Sequence, residues 1–190
     1  MDVFTAIKER RSCRAFLPDP IPDEVIGKIL ESAVWAPSPM NLQPWEFIVV
    51  TGAQVKDAIR KEAETRRDEL LEKSGWKWLG RYAVDFLSIA PVLIAVVGDP
   101  ERTGADKFLD GGGLCYQHAC AAAVQNMLLC AHAEGLGSLW YTLYDSEKMR
   151  NILGIESGKS PLAIVCLGKP AGDPLQTPRK EAARKTTFIR

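Results

Sequence analysis

The chain has 190 residues, enough for a real core, and a single domain over residues 1–190 is expected. Its 24 basic residues are matched by 24 acidic ones, so the formal net charge is zero and no nucleic-acid partner is expected; a local basic cluster can still hold one small anion. The start, from Met1 to Arg11, has no apolar signal core, and the most apolar long stretch, 114–133, contains Gln117, His118, Gln125, Asn126 and His132, so no membrane span and a cytoplasmic location are expected.

In chain order, the first predicted helix covers residues 2–10, with Asp2 as its cap and Val3, Phe4 and Ile7 on one face. A second starts with Pro22 at its first position and Asp23 and Glu24 at its positive end. Val25, Ile26, Ile29, Leu30 and Ala33 form its apolar stripe, and Pro37 stops it. A short strand is predicted at 45–50, a charged helix at 53–73, and a buried strand at 91–97. The tryptophan-rich stretch 75–82 reads either as an aromatic lid or as ordinary helix packing.

Residues 111–134 read as one long helix, apolar nearly all round and hence buried, closed by Gly135 and Gly137. Its length of about 36 Å, at about 1.5 Å per residue, is much for a small chain to cover, and a partner subunit would help. A strand at 138–142, a short helix capped by Asp145 and a buried strand at 161–168 follow. The polar tail ends in a β-prone strip, Thr186 to Ile189. Helices and strands do not alternate regularly, so the predicted class is α+β, a mixed or antiparallel sheet flanked by helices around a long central helix.

Five cysteines, at 13, 115, 120, 130 and 166, are odd in number and show no C-x-x-C pair, so free buried thiols are expected. Cys115 and His118 share a helical face but Cys120 is turned away, and no metal site is expected.

Three clusters can carry chemistry. Arg10, Arg11, Ser12 and Arg14 follow the first helix; forked guanidinium groups suit a phosphate, though arginines also complement a helix end. Pro37, Ser38, Pro39, Asn41 and Gln43 form a small polar loop able to read a heterocycle's edge, or simply a turn. Gly135 to Thr142 lets backbone approach a flat ligand, or merely ends a helix.

Together, Arg-Arg-Ser-x-Arg-x-Phe at 10–16, Ala-Pro-Ser-x-x-Asn-x-Gln-Pro-Trp at 36–45, Gln-Asn with Gly-Leu-Gly-Ser at 125–138, and Thr-Pro-Arg-Lys at 177–180 resemble the nitroreductase family of flavoproteins. The resemblance implies an intertwined homodimer with FMN at its interface. Arg10, Arg11 and Ser12 would hold the phosphate and ribityl chain, and Arg179 and Lys180 would complete that end. Arg14 would lie near the pyrimidine end of the ring. Pro37, Ser38, Pro39 and Asn41 would line the ring from the other protomer. Trp140, Tyr141 and Thr142 would pass its far side, with a backbone N–H near Thr142 facing N5. The implied activity is FMN-dependent transfer of reducing equivalents from NADH or NADPH to a small acceptor, nitroaromatic or quinone-like, by a ping-pong mechanism with no catalytic side chain beyond the flavin. Reductive dehalogenation, flavin cleavage and FMN storage are the alternatives. Pro39 and Thr142 depart from residues common in the family.

Overall fold

The computed structural model describes residues 1–173 and 175–190. Helix α1 (Val3–Glu9) is capped by Asp2, whose carboxylate accepts from the Phe4 and Thr5 amides. Helix α2 (Asp23–Val34) starts one residue later than expected, because Pro22 keeps an extended backbone and stands at the N-cap. Strand β1 (Trp45–Val50) and helix α3 (Ala53–Ser74) follow. A 3₁₀ turn at Leu79–Arg81 occupies the tryptophan-rich stretch. Helix α4 (Phe86–Ile89) leads into β2 (Val92–Gly98), and α5 (Cys115–Ala133), β3 (Gly137–Tyr141), α6 (Ser146–Leu153) and β4 (Ser160–Gly168) complete the core.

The sheet order is β1-β2-β4-β3, and every pairing is antiparallel. Strand residues alternate between two faces. Val92, Ile94, Val96, Val165 and Leu167 pack with α2 and α5 on one face; Leu93, Ala95, Ile164, Cys166, Leu139 and Tyr141 pack with α3, α4 and α6 on the other. The two central strands are therefore apolar over 92–98 and 161–168, which is why their sequence shows no alternation. Ala119, Ala123 and Ala131 on α5 are small enough for close packing of that helix in the first layer.

Helix α5 departs from the sequence reading in two ways. It begins at Cys115, not at residue 111. A Cβ on Gly112 would meet the Asp106 carbonyl oxygen at 1.8 Å, and Gly113 has φ of +82°, so this turn accepts only glycine and cannot be helical. It is also covered on one face only: Gln117, His118 and Gln125 are exposed along the other, with Ala121 and Ala122 half-buried beside them.

The N-terminus of α5 is closed by a residue well upstream. The Asp106 carboxylate accepts from the amides of Leu114 (2.8 Å) and Cys115 (2.9 Å) and from the Thr103 hydroxyl (2.9 Å). Desolvation opposes ionisation of Asp106, but these hydrogen bonds outweigh it and lower its carboxyl from the usual 3.8 to about 2. A depressed carboxylate contributes stability above its unfolded pKa, and loses it as pH falls through the folded value. Asp106→Asn should therefore flatten the loss of thermal stability between about pH 5 and about pH 2. Melting curves across that range check this, and an unchanged slope would remove Asp106 from the account.

Among the described residues after β4, the tail holds one 3₁₀ turn, Ala182–Lys185. The β-prone strip at 186–189 lies in no strand of this chain, and Phe188 and Ile189 are 77% and 97% exposed.

Candidate cofactor site

The first cluster is placed by the end of α1 and the outer edge of β3. Arg10 caps α1 with a non-helical backbone and turns the chain away. Residues 12 and 13 then run beside β3: the Cys13 amide donates to the Ser138 carbonyl at 2.9 Å, and Ser12 bridges Ser138 in parallel. Gly137 permits this, since a Cβ there would meet the Cys13 sulfur at 2.7 Å. Farther on, the amides of Leu17 and Ala171 donate to the carbonyls of Lys169 and Ala15. The tail is thus sewn beside the N-terminal arm, and the two enclose a cleft of about 540 Å³ lined by Arg11, Ser12, Arg14, Gly172, Thr177 and Arg179, among others.

Positive charge predominates in this region: three arginines line the cleft against one acid, Asp173. Among the described residues, none of Arg10, Arg11, Arg14 and Arg179 has a carboxylate partner within ion-pair distance. Burial, and then the nearby charges of Arg11 and Arg179, hold the Arg10 guanidinium below its ordinary range. Guanidinium groups stay protonated in proteins. Three of them in mutual repulsion are the electrostatic imprint of an anion site.

The individual roles differ. Arg11 spends much of its guanidinium on the chain itself, donating to the carbonyls of Lys8 and Arg10 and to Gln176 Oε1 (2.9 Å), while its Nε is buried without a partner. Arg14 sits 5.8 Å over the Tyr82 ring, a cation–π contact that the sequence alone did not suggest. Arg179 lines the cleft and Lys180 does not.

The second cluster lies elsewhere. Pro37, Ser38 and Pro39 line a shallow depression of about 210 Å³ with Cys115, His118, Ala119 and Ala122, at the start of α5. The Arg10–Arg11 region instead adjoins His132, near the end of α5. Nineteen residues of helix put roughly 28 Å between those ends, at about 1.5 Å per residue. Ala122 and His132, on the walls of the two regions, are ten residues apart, roughly 15 Å of helix at about 1.5 Å per residue.

The loop 38–43 is held tightly. The Gln43 amide donates to Ser38 Oγ at 3.1 Å, and the Asn41 amide to the Ser38 carbonyl at 3.1 Å. Met40, Asn41 and Gln43 are the only non-glycine residues with positive φ among those described, at +50°, +56° and +46°. Strain concentrated in one loop accompanies pre-organised binding sites. Gly104 backs the loop; a Cβ there would meet Pro39 at 2.9 Å.

The third cluster is divided by the sheet. Trp140 faces a depression shared with Gln117, His118 and Leu162 on the α5 side. Tyr141 points to the other layer, where its ring is buried and its hydroxyl donates to the Leu143 carbonyl at 2.6 Å; burial pushes its phenol well up. From Tyr141 only the main chain is left for a ligand. Thr142 is exposed just past the strand. Among the described residues no three His, Cys, Asp or Glu side chains converge as metal ligands, and no helix is long and apolar enough to cross a membrane.

Residues 7–169 match the model of the nitroreductase family. The chain belongs to that family. This nitroreductase-family chain is 34% identical to a Methanothermobacter thermautotrophicus protein assigned as an NADH dehydrogenase/NAD(P)H nitroreductase, over 92% of this chain and 80% of the relative. It is 32% identical to an iodotyrosine deiodinase of Haliscomenobacter hydrossis, over 90% of this chain and 80% of the relative. Among solved structures, an oxidised iodotyrosine deiodinase bound to FMN and 3-iodo-L-tyrosine superposes with a TM-score of 0.83, at 26% identity, covering 100% of this chain and 98% of that one. The nitroreductase fold, an antiparallel four-stranded sheet between helices, is therefore common to both.

Proposed function

We propose that this chain is an FMN-dependent oxidoreductase, working as a homodimer, that passes reducing equivalents from NADH or NADPH to a small acceptor such as a nitroaromatic or quinone. The observation that carries this reading is the group of Arg10, Arg11 and Arg179 with no carboxylate partner among the described residues. A phosphate monoester fits that group by charge and by donor geometry. Bound FMN would supply acceptance of a hydride from the nicotinamide and its onward delivery.

The chain's own residues would do the rest. Arg10, Arg11, Ser12 and Arg179 would hold the phosphate and ribityl end, and Lys180, which does not line the cleft, would take no part in it. Arg14, fixed over Tyr82, adds positive charge to the same cleft, where it favours negative charge on a bound ring. The pre-shaped loop of Pro37, Ser38, Pro39 and Asn41 would line the ring from the second protomer. Trp140, the main chain of Tyr141, and Thr142 would border it from the first. The separation of these clusters along α5 within one chain supports a second copy, and so does the half-uncovered face of that helix. No side-chain acid, base or nucleophile is assigned to the reaction. One pocket would serve donor and acceptor in turn, giving ping-pong kinetics.

The purified protein should be yellow with one FMN per protomer, and anaerobic mixing with NADH or NADPH should bleach it rapidly in a stopped-flow spectrometer. A colourless protein that takes up no FMN would defeat the reading. A yellow one that neither nucleotide reduces would make it a flavin-storage protein. The similarity to deiodinases, close in degree to that with the NAD(P)H-linked relative, favours reductive dehalogenation as a second reading. Turnover of 3-iodo-L-tyrosine by the reduced protein would decide for it.

A further inference from the structure

The tryptophan-rich stretch after α3 is an anchored turn. Gly75, in the left-handed conformation, ends that helix, and its amide donates to the Leu71 carbonyl at 2.9 Å. The Trp76 amide donates to Ser74 Oγ at 3.2 Å, and the amides of Leu79, Arg81 and Tyr82 close the following turns. Leu79 is 2% exposed and pins the segment, while Gly80 lies against α3, where a Cβ would meet the Leu71 side chain at 3.3 Å. On this held base Trp76 and Trp78 are still 61% and 52% exposed. Their exposure belongs to the folded turn and is not the fraying of a loose loop.

The two indoles are the outer end of an aromatic series. Trp76 and Trp78 lie 6.2 Å apart with a tilt of 33°, and Trp78 meets Tyr82 edge-on at 5.7 Å. Tyr82 in turn carries the Arg14 guanidinium 5.8 Å over its ring, and Arg14 lines the cofactor cleft. Behind it, Phe86 links Tyr82 to Tyr141 of β3. One ring therefore separates Trp78 from the cleft wall. Between Glu72 and Asp85 the chain carries Lys73, Lys77 and Arg81 and no acid. Among the described residues, none of these three, nor Arg14, has a carboxylate partner within ion-pair distance. An indole face is rich in π electrons and stacks on a flat, electron-poor ring. Unneutralised cations beside it favour a negative substituent.

We propose that Trp76 and Trp78 form a stacking platform for the acceptor beside the cleft, and that Lys77 and Arg81 select planar aromatic acceptors bearing a negative group. This rests on the flavin reading above and deepens it by naming a class of acceptor.

The FMN-loaded protein is titrated calorimetrically, without nucleotide, with para-nitrobenzoate and with its neutral isostere para-nitrobenzamide. Wild type should bind the benzoate at least about threefold more tightly, and added salt should narrow the gap, since it screens exposed charge. Trp76→Ala, whose side chain meets only Trp78 in the series, should weaken both ligands by about fivefold, and Trp76→Phe should recover most of that loss. Lys77→Gln/Arg81→Gln should weaken the benzoate alone, by about threefold. In turnover, Trp76→Ala should raise KM for both acceptors while kcat and the rate of flavin bleaching by NADH or NADPH stay within about twofold of wild type. Equal affinity of wild type for the two ligands, or unchanged binding in Trp76→Ala, overturns the proposal. So does loss of the dimer in that variant on sedimentation, which would make the tryptophans a subunit contact, and so does slower bleaching, which would place the nucleotide on them. A flavin that neither nucleotide reduces would defeat the function reading instead, and the calorimetry would still decide the platform.

Discussion

Arg10→Ala should weaken FMN binding by at least about tenfold, because charge-assisted hydrogen bonds are worth about 1.5–3 kcal/mol each and tenfold corresponds to about 1.4 kcal/mol. Arg10 is the member of the cluster whose surroundings are most plainly anion-seeking: it is partly buried, and the charges nearest it are those of Arg11 and Arg179. Its removal also relieves repulsion on those two, so the double variant Arg10→Ala/Arg179→Ala should lose less than the sum of the single losses. Lys180→Ala serves as a control. It does not line the cleft and should change affinity by less than about twofold, as exposed charges do. Fluorescence titration of flavin-free protein measures all four. Wild-type affinity in the Arg10 variant would return the cluster to the part of a solvated helix end.

Deleting Thr186 to Arg190 should weaken both dimerisation and FMN retention. A short extended strip has little stability alone and gains most by joining an open sheet edge. The two edges of this sheet are not alike. Ser12 and Cys13 already occupy the outer side of β3. The outer side of β1 pairs with nothing among the described residues, and beside it Ile48, Val50, Val55, Ile152 and Leu153, with Thr51 and Gly52, line a groove of about 280 Å³. Phe188 and Ile189, almost wholly exposed on their own chain, suit such a groove on a partner. Sedimentation at micromolar concentration is the measurement. If the truncated protein remains a yellow dimer, the tail is a passenger.

Local structure was legible wherever its causes are local. Strand β1 was read to the residue because Trp45 to Val50 is a run rich in aromatic and β-branched residues. Helix α6 was marked by its cap, Asp145, whose carboxylate does accept from the amides of Glu147 and Lys148. The start of α5 was misplaced because its capping carboxylate, Asp106, is held by a loop that apolar periodicity does not register. The site shows the same limit more strongly. Nothing in spacing brings Arg179 beside Arg10, and only the family resemblance did so. Tyr82 under Arg14, and the hydrogen bond from the Cys13 amide to the Ser138 carbonyl that sets the N-terminal arm beside β3, depend on pairings between distant segments. Ser138 in particular looks in sequence like the first residue after a helix stop.

The unequal sheet edges also bear on how copies of this chain can associate. If the tail adds to a partner's sheet as expected above, each protomer offers one acceptor edge, at β1, and one donor strip at its C-terminal end. Reciprocal exchange about a twofold axis uses up both and closes the assembly at two chains. One-way donation would leave an edge at one end and a tail at the other, and the same contact repeated without closure would propagate as a filament. Reciprocity of the exchange, more than its strength, separates a finite pair from a growing polymer.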